Sequence, residues 1–313
     1  MKKRFSIVKN FIYFLTFSLI LIVGSIYAFV SNLRWSIEFT GGIKMTVAGE
    51  HKIDVKDLEN VFKQDKLTLK YIYNQWNTDL EIRSLSANVK YTNEMLSKIK
   101  DWLKAKGYIK SNDDIISTSF VGPTVGEYMK SAAKQALVWG IVIMAIYILV
   151  AFVGVREYFQ PWIFSLVTVL TLMHDVIMAA GGYWIWMHFN PLVVVDTVFV
   201  MAILTVLGYS VNDTIIIFDR VRENIIKYSE QIRKGNKKLY EVFDESLYQT
   251  MRRSLFTSLS TLLVVACMYY FGNQVFKDFS FVILVGVIFG TYSSIFLAAP
   301  GAYRINRILT KKE

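Results

Sequence analysis

A single cysteine, Cys267, stands in the 313 residues. It lies within an apolar run, so no intramolecular disulfide is possible and any domain outside a membrane must be stable through its own core. Histidine is almost as scarce, with three residues, and no H-E-x-x-H pattern occurs, which excludes the zinc-protease signature. Only four prolines accompany a 54% hydrophobic content, a balance that points to a membrane protein rather than a soluble enzyme with one large core. The soluble-looking stretch 31–131 has no cysteine and only His51 as a histidine. No metal or catalytic centre is expected there; a binding or coupling role is.

What the chain does have is apolar length. Runs of roughly 20 residues, enough to cross about 30 Å of hydrocarbon, occur near 11–30, 133–153, 161–186, 192–218, 255–272 and 279–300. Lys2, Lys3 and Arg4 precede the first run, but its length exceeds the ~7 to 15 residues of a cleaved signal and no small-x-small site follows. It reads as a retained signal anchor. Lysine and arginine cluster before span one, between spans four and five (Arg220 to Arg253) and in the tail (Arg304 to Lys312), whereas the loops 187–191 and 273–278 carry only Lys277. Both termini are therefore expected in the cytoplasm. The net charge of +10 reads as a basic rim against membrane lipid, with no nucleic-acid partner implied.

The expected organisation is 1–30 as N-terminus and span one, 31–131 as an extracytoplasmic α+β domain, 132–300 as spans two to six with a basic cytoplasmic segment at 219–253, and 301–313 as a cytoplasmic tail. Within the domain, Trp35, Ile37 and Phe39 alternate with polar residues, Gly41 and Gly42 follow, and Ile43, Met45 and Val47 alternate again. The pattern predicts a β-hairpin about the glycine pair. A helix with Asp54 as N-cap and Val55, Leu58, Val61 and Phe62 on one face comes next. Strands at 67–73 and near 80–82, a helix through Met95, Ile99, Trp102 and Leu103, and a strand at 115–120 complete the domain. Counted from the second hairpin strand, the order is β-α-β-β-α-β, that of the ferredoxin-like fold.

Inside the apolar runs, span four carries Asn212 and Asp213. A charge there costs ~2.5 to 3.5 kcal/mol on insertion scales, so a polar function is the first hypothesis. A short carboxylate cannot reach the interface; it must be neutral or balanced by a cation. Arg253, entering with span five from the same side, is the expected cation, and an Asp/Arg pair that can be broken by ion exchange would form a relay. Asp196 and Asp219, by contrast, read as solvated helix ends. Span three holds His174 and Asp175; adjacent helical residues diverge by about 100°, so the two need not touch. Histidine can carry a proton near neutral pH, placing this pair second to Asp213. Gly181 and Gly182, and Gly286 with Gly290, read as points of close helix approach. A G-x-S at Gly208 to Ser210 suggests an intramembrane protease, but span six supplies no histidine base and the G-x-G-D of aspartyl types is missing. An enzyme is not expected.

The string GYSVNDTIIIFDRVREN (Gly208 to Asn224), QTMRRSLFTS (Gln249 to Ser258), EFTGG (Glu38 to Gly42), VGPTVG (Val121 to Gly126) and the His174–Asp175 pair resemble the SecF family, the smaller subunit of the SecD/SecF pair. The resemblance implies six spans of the resistance-nodulation-division type and a ferredoxin-like external domain. It implies a bacterial inner-membrane protein that joins a SecD-like subunit and, with SecYEG and YajC, helps complete preprotein translocation after SecA, driven by the proton motive force. No cofactor is implied beyond an H⁺ or Na⁺ gradient. It places Asp213 and Arg253 at the relay, and Phe39, Gly41 and Gly42 in an external-domain motif. Ser254 stands where that family commonly has threonine, and Arg252 adds a second basic residue.

Overall fold

The structure, a computed structural model, describes residues 5–31, 33–48, 67–73, 77–84, 90–155, 159–190 and 193–310. Among them, six helices are long and apolar enough to cross a membrane. They are α1 (Phe11–Ser31), α4 (Pro123–Ala151), α5 (Pro161–Phe189), α6 (Thr197–Lys227), α8 (Leu239–Phe271) and the run formed by α9 (Gln274–Ser293), a π-helical turn (Ser294–Ala298) and α10 (Ala299–Thr310). Short elements α2 (Ile37–Thr40) and α7 (Ser229–Arg233), the helix α3 (Lys90–Ala105), strands β1 (Gly42–Ala48), β2 (Leu67–Tyr73), β3 (Asn77–Ser84) and β4 (Ile115–Val121), and two 3-10 turns (Asn112–Asp114 and Val153–Val155) account for the rest of the described elements. The π turn has a local cause. Pro300 has no N–H and crowds the carbonyl four residues back, so the hydrogen-bond ladder loosens just before it.

The chain divides into two units. The first comprises Met1–Asn32, Ala136–Trp186 and Val198–Glu313. Its helices pack closely because glycine leaves room: a Cβ on Gly286 would overlap Val206 Cγ2, and one on Gly182 would lie 2.7 Å from Val285 Cγ1. One end is filled by an aromatic cluster in which Phe164 lies 4.4 Å from Phe159, 5.0 Å from Phe152 and 4.7 Å from Phe218 between ring centroids. At that basic end Asp244 accepts hydrogen bonds from Ser6 Oγ at 2.5 Å and Val8 N at 3.0 Å. Those bonds tie the chain before α1 to α8.

The second unit comprises Leu33–Gln135 and Met187–Thr197. Its sheet is antiparallel with order β2-β3-β1-β4, and Met45 of β1 and Ile99 and Leu103 of α3 are buried. The strands at 67–73, 77–84 and 115–121 and the helix over Met95 to Leu103 lie where the alternation predicts them. The helix expected over 54–62, with its Asp54 cap, lies outside the described residues.

Two expectations are corrected. No hairpin forms about Gly41 and Gly42: Ile37–Thr40 is a helical turn, capped by Ser36 Oγ accepting from Glu38 N at 3.3 Å, and β1 pairs with β3 and β4. A capping serine outcompetes the weak alternation of a short segment. Span four begins at Thr197 rather than near 192, because Val195 is held extended by a parallel bridge to Trp35. The other helices outrun their apolar windows at one or both ends, and the basic segment 219–253 is largely helical. Hydropathy marks what lies in hydrocarbon, not where hydrogen bonding stops.

The close approaches predict a graded series. Gly286→Ala should destabilise the purified protein by about 1–3 kcal/mol, the range for overpacking, whereas Gly24→Ala, whose Cβ meets nothing within 4 Å, should leave stability unchanged; thermal unfolding in detergent distinguishes them.

Candidate ion-relay site

Two carboxylates are sealed inside the helix bundle: Asp175 of α5 and Asp213 of α6, 0% and 1% exposed. Hydrocarbon offers no water to either, so each needs donors from the protein.

Asp175 has them in full. His174 Nδ1 lies 2.8 Å from Oδ1, while Oδ2 accepts from Ser293 Oγ at 2.9 Å and from Ser210 Oγ. The imidazole's other nitrogen, Nε2, lies 3.2 Å from Ser18 Oγ of α1. The network therefore joins α1, α5, α6 and α9. Gly290 admits it: a Cβ there would stand 3.1 Å from Ser210 Cβ and 3.6 Å from Asp175 Oδ2. His174 and Asp175 do touch, against the simple helical-wheel expectation, because both side chains are long enough to bend toward one another across the 100° between them.

Asp213 is held far more loosely. Among the described residues its one hydrogen bond of good geometry is a long one, from Ser258 Oγ of α8 at 3.4 Å. That hydroxyl is also 2.8 Å from the carbonyl of Ser254 and 2.5 Å from Thr291 Oγ1, and Tyr209 OH donates to it at 3.2 Å. One hydroxyl proton serves one acceptor at a time. Ser254, one turn earlier on α8 and fully buried, sits near the carboxylate, yet its hydroxyl has no partner of good geometry. The site thus contains a buried carboxylate, a hydroxyl cluster and a second serine hydroxyl that faces the carboxylate without a bond of full geometry. Such a set can accept a proton or a small cation without first breaking a strong hydrogen bond.

The arginine expectation is corrected in part. Arg253 is exposed on the outside of the bundle and forms no ion pair with Asp213 within 4.0 Å among the described residues. Its charge still acts on the carboxylate through space. The arginine follows Arg252, whose guanidinium lies 5.5 Å from the Phe256 ring, on a face of α8 turned away from Ser254 and Ser258. Asn212 is likewise exposed, since one residue of helix rotates it off the buried face of Asp213. The structure brings together Asp213, Ser258, Thr291 and Tyr209, and separately His174 with Asp175, Ser18, Ser210 and Ser293.

The hydroxyls that reach the two carboxylate sites from other helices, Ser18, Ser258, Thr291 and Ser293, are not predicted from the sequence. A signal for Ser258 is present: Ser246, Thr250, Ser254 and Ser258 recur at intervals of four on α8, and all are buried. Of the external-domain motif, Phe39, Gly41 and Gly42 are buried. Gly41 adopts φ 70° and ψ 161°, a region that favours glycine.

The contrast between the two carboxylates predicts unequal responses. Ser293→Ala should destabilise the protein by about 1–3 kcal/mol by leaving Asp175 short of a donor, whereas Ser254→Ala should cost less because its hydroxyl makes no bond of full geometry; unfolding midpoints in detergent test both.

Residues 102–307 match the family model described as "Protein export membrane protein SecD/SecF, C-terminal". The chain is 36% identical over 303 residues to a protein named protein translocase subunit SecF from Sebaldella termitidis, covering 95% of this chain and 90% of that one. It is 31% identical over 290 residues to the protein of the same name from Rhodothermus marinus, covering 91% and 87%. The crystal structure of SecDF from a Thermus species superposes with a TM-score of 0.73 at 25% identity, over 99% of this chain. The chain spans 39% of the length of that SecDF polypeptide. A multi-pass membrane protein with these matches across nearly its whole length belongs to the SecF branch of the SecD/SecF protein-export family.

Proposed function

We propose that this chain is the SecF-type half of an ion-driven unit of the Sec translocase, and that with a SecD-like subunit it uses the proton motive force to help complete preprotein translocation after the SecA step. The observation that carries the reading is the state of Asp213: sealed in the bundle, with one long hydrogen bond from Ser258 and the Ser254 hydroxyl beside it held in no bond of full geometry. A structural carboxylate would be held as Asp175 is. Asp213 is instead built to change its proton or cation, with Arg253 nearby as a charge that weights the exchange. His174 and Asp175 form a second, tighter pair that holds four helices in register and can join the relay through Ser210.

The rest of the reading follows from the family. The unit sits in the bacterial inner membrane with both termini in the cytoplasm, a placement supported by the basic loops. The external α+β domain is ferredoxin-like, a reading supported by the strand order β2-β3-β1-β4. It contacts the preprotein, and the assembly works beside SecYEG and YajC. No cofactor is required beyond the H⁺ or Na⁺ gradient, and no enzymatic step is involved. A membrane potential of 100 mV supplies about 2.3 kcal/mol per charge, so export would advance in repeated small strokes, each biased by the state of Asp213.

Asp213→Asn should insert and accumulate normally while losing export support in cells; normal secretion kinetics in that variant, across a verified proton gradient, would sink the relay. Mild-detergent purification should recover a SecD-like subunit in equal amount, and a fully active chain isolated alone would count against the half-unit reading.

A further inference from the structure

Among the described residues of α1, Ser18 alone is buried, and it is polar. A serine inside a helix commonly bonds the carbonyl four residues back. Here the Tyr292 hydroxyl of α9 donates to that carbonyl, of Phe14, at 2.9 Å, and Ser18 Oγ turns instead to His174 Nε2 at 3.2 Å. Ser18 also interacts with the Tyr292 hydroxyl, so the serine stands between a phenol and an imidazole. The tyrosine and histidine rings lie 6.3 Å apart between centroids, tilted by 32°. On the other side of the imidazole, Nδ1 lies 2.8 Å from Asp175 Oδ1. All of these residues belong to the first unit.

The row Asp175, His174, Ser18 and Tyr292 leads from the sealed interior toward the basic end of the bundle. Phe14 lies roughly 4.5 Å along the helix from the start of α1, Lys9 just before that helix is exposed, and Tyr292 is itself partly exposed. Each member after Asp175 has the chemistry to pass a proton. Hydroxyls donate and accept at once, and an imidazole can take a proton at one nitrogen while the other stays bonded. With Nδ1–H committed to the Asp175 carboxylate, Nε2 is the nitrogen that changes. Asp175 then keeps its hydrogen bonds in both states and balances the imidazolium that forms. Among the described residues the titratable groups that face the imidazole are Asp175 of α5 and Tyr292 of α9. From α1 and α6 the groups at this pair are hydroxyls, Ser18 on the ring and Ser210 on the carboxylate.

We propose that His174 is a second proton-exchange site of this chain, filled and emptied from the basic end of the bundle through Tyr292 and Ser18, with Asp175 as its fixed counter-ion. In the filling step a hydronium ion at that end gives a proton to the Tyr292 oxygen, the phenol's own proton passes to Ser18 Oγ, and the serine's passes to Nε2. One O–H bond breaks in the hydronium, one N–H bond forms on the ring, and the positive charge moves from water to the imidazole. Emptying is the reverse. The proposal deepens the reading of the chain as an ion-driven unit and rests on it for its purpose: a transported proton needs a group in exchange with water on the side where it leaves the membrane.

The test uses the complete complex in lipid bilayers, with isotope-labelled histidine. The exchange of the His174 Nε2 proton with water is read by nuclear magnetic resonance, and the His174 signal is identified by its loss in His174→Gln. The parent should exchange that proton with water, and Tyr292→Phe and Ser18→Ala should each slow the exchange several-fold. The double variant should exchange no more slowly than the slower single one, because members of one series share one path. Should Ser18→Ala fail to accumulate, Tyr292→Phe, which keeps the ring and removes only the hydroxyl, carries the test. A purely structural hydroxyl would shift the unfolding temperature and leave the exchange rate parental. A parental rate in Tyr292→Phe or Ser18→Ala, slowing that multiplies in the double variant, or a parent whose Nε2 exchanges with no water proton overturns the proposal. Failure of the underlying ion-driven reading would show differently: Asp213→Asn would support export while His174 exchanges as in the parent.

Discussion

Asp175 accepts from an imidazole and two hydroxyls in a place where no water can reach it, and much of the bundle is arranged to make that possible. A carboxylate deprived of water is tolerable only when donors converge on it from several helices. Convergence demands close packing, so Gly290 brings α9 against Ser210, and Ser18 of α1 reaches His174 across the bundle. Gly286 lets α9 settle on Val206 one turn away on the same face. Once four helices are pinned around Asp175, the neighbouring Asp213 can be left with few bonds without loss of the fold. The tight site supports the loose one.

That division of labour explains why two buried aspartates of the same type differ in proposed role. Asp175 is fully engaged, and exchanging its proton or partner would disturb three hydrogen bonds at once. Asp213 has a long contact with a hydroxyl already shared among Ser254, Thr291 and Tyr209. Its rearrangement costs little, which is what a site driven by about 2.3 kcal/mol per charge per 100 mV requires.

Much of this was legible in the sequence, for identifiable reasons. Six spans stand out because hydrocarbon penalises polar backbone and side chains so heavily that long apolar runs have few alternatives. Asp213, His174 and Asp175 stand out for the same cause, since a charge in such a run is anomalous wherever it falls. The donors were not legible. Serine and threonine inside a helix commonly bond the carbonyl one turn back, as Thr168, Thr171, Thr214 and Thr291 all do here, so nothing in their identity tells which ones also reach a neighbouring helix. Arg253 misled because proximity in depth says nothing about azimuth: it faces outward while Ser254, the next residue, faces in. The hairpin expected at Gly41 and Gly42 does not form because Ser36 and Glu38, the polar half of the alternation, have side chains that serve helix ends.

The central claim is that Asp213 changes its protonation or ion partner when the membrane is energised. Infrared difference spectra of the complex in vesicles, taken with and without an imposed ion gradient and compared with Asp213→Asn, test it most directly. The account predicts a carboxyl or carboxylate band that changes with the gradient in the parent and is missing from the variant. Identical difference spectra for the two proteins would contradict it.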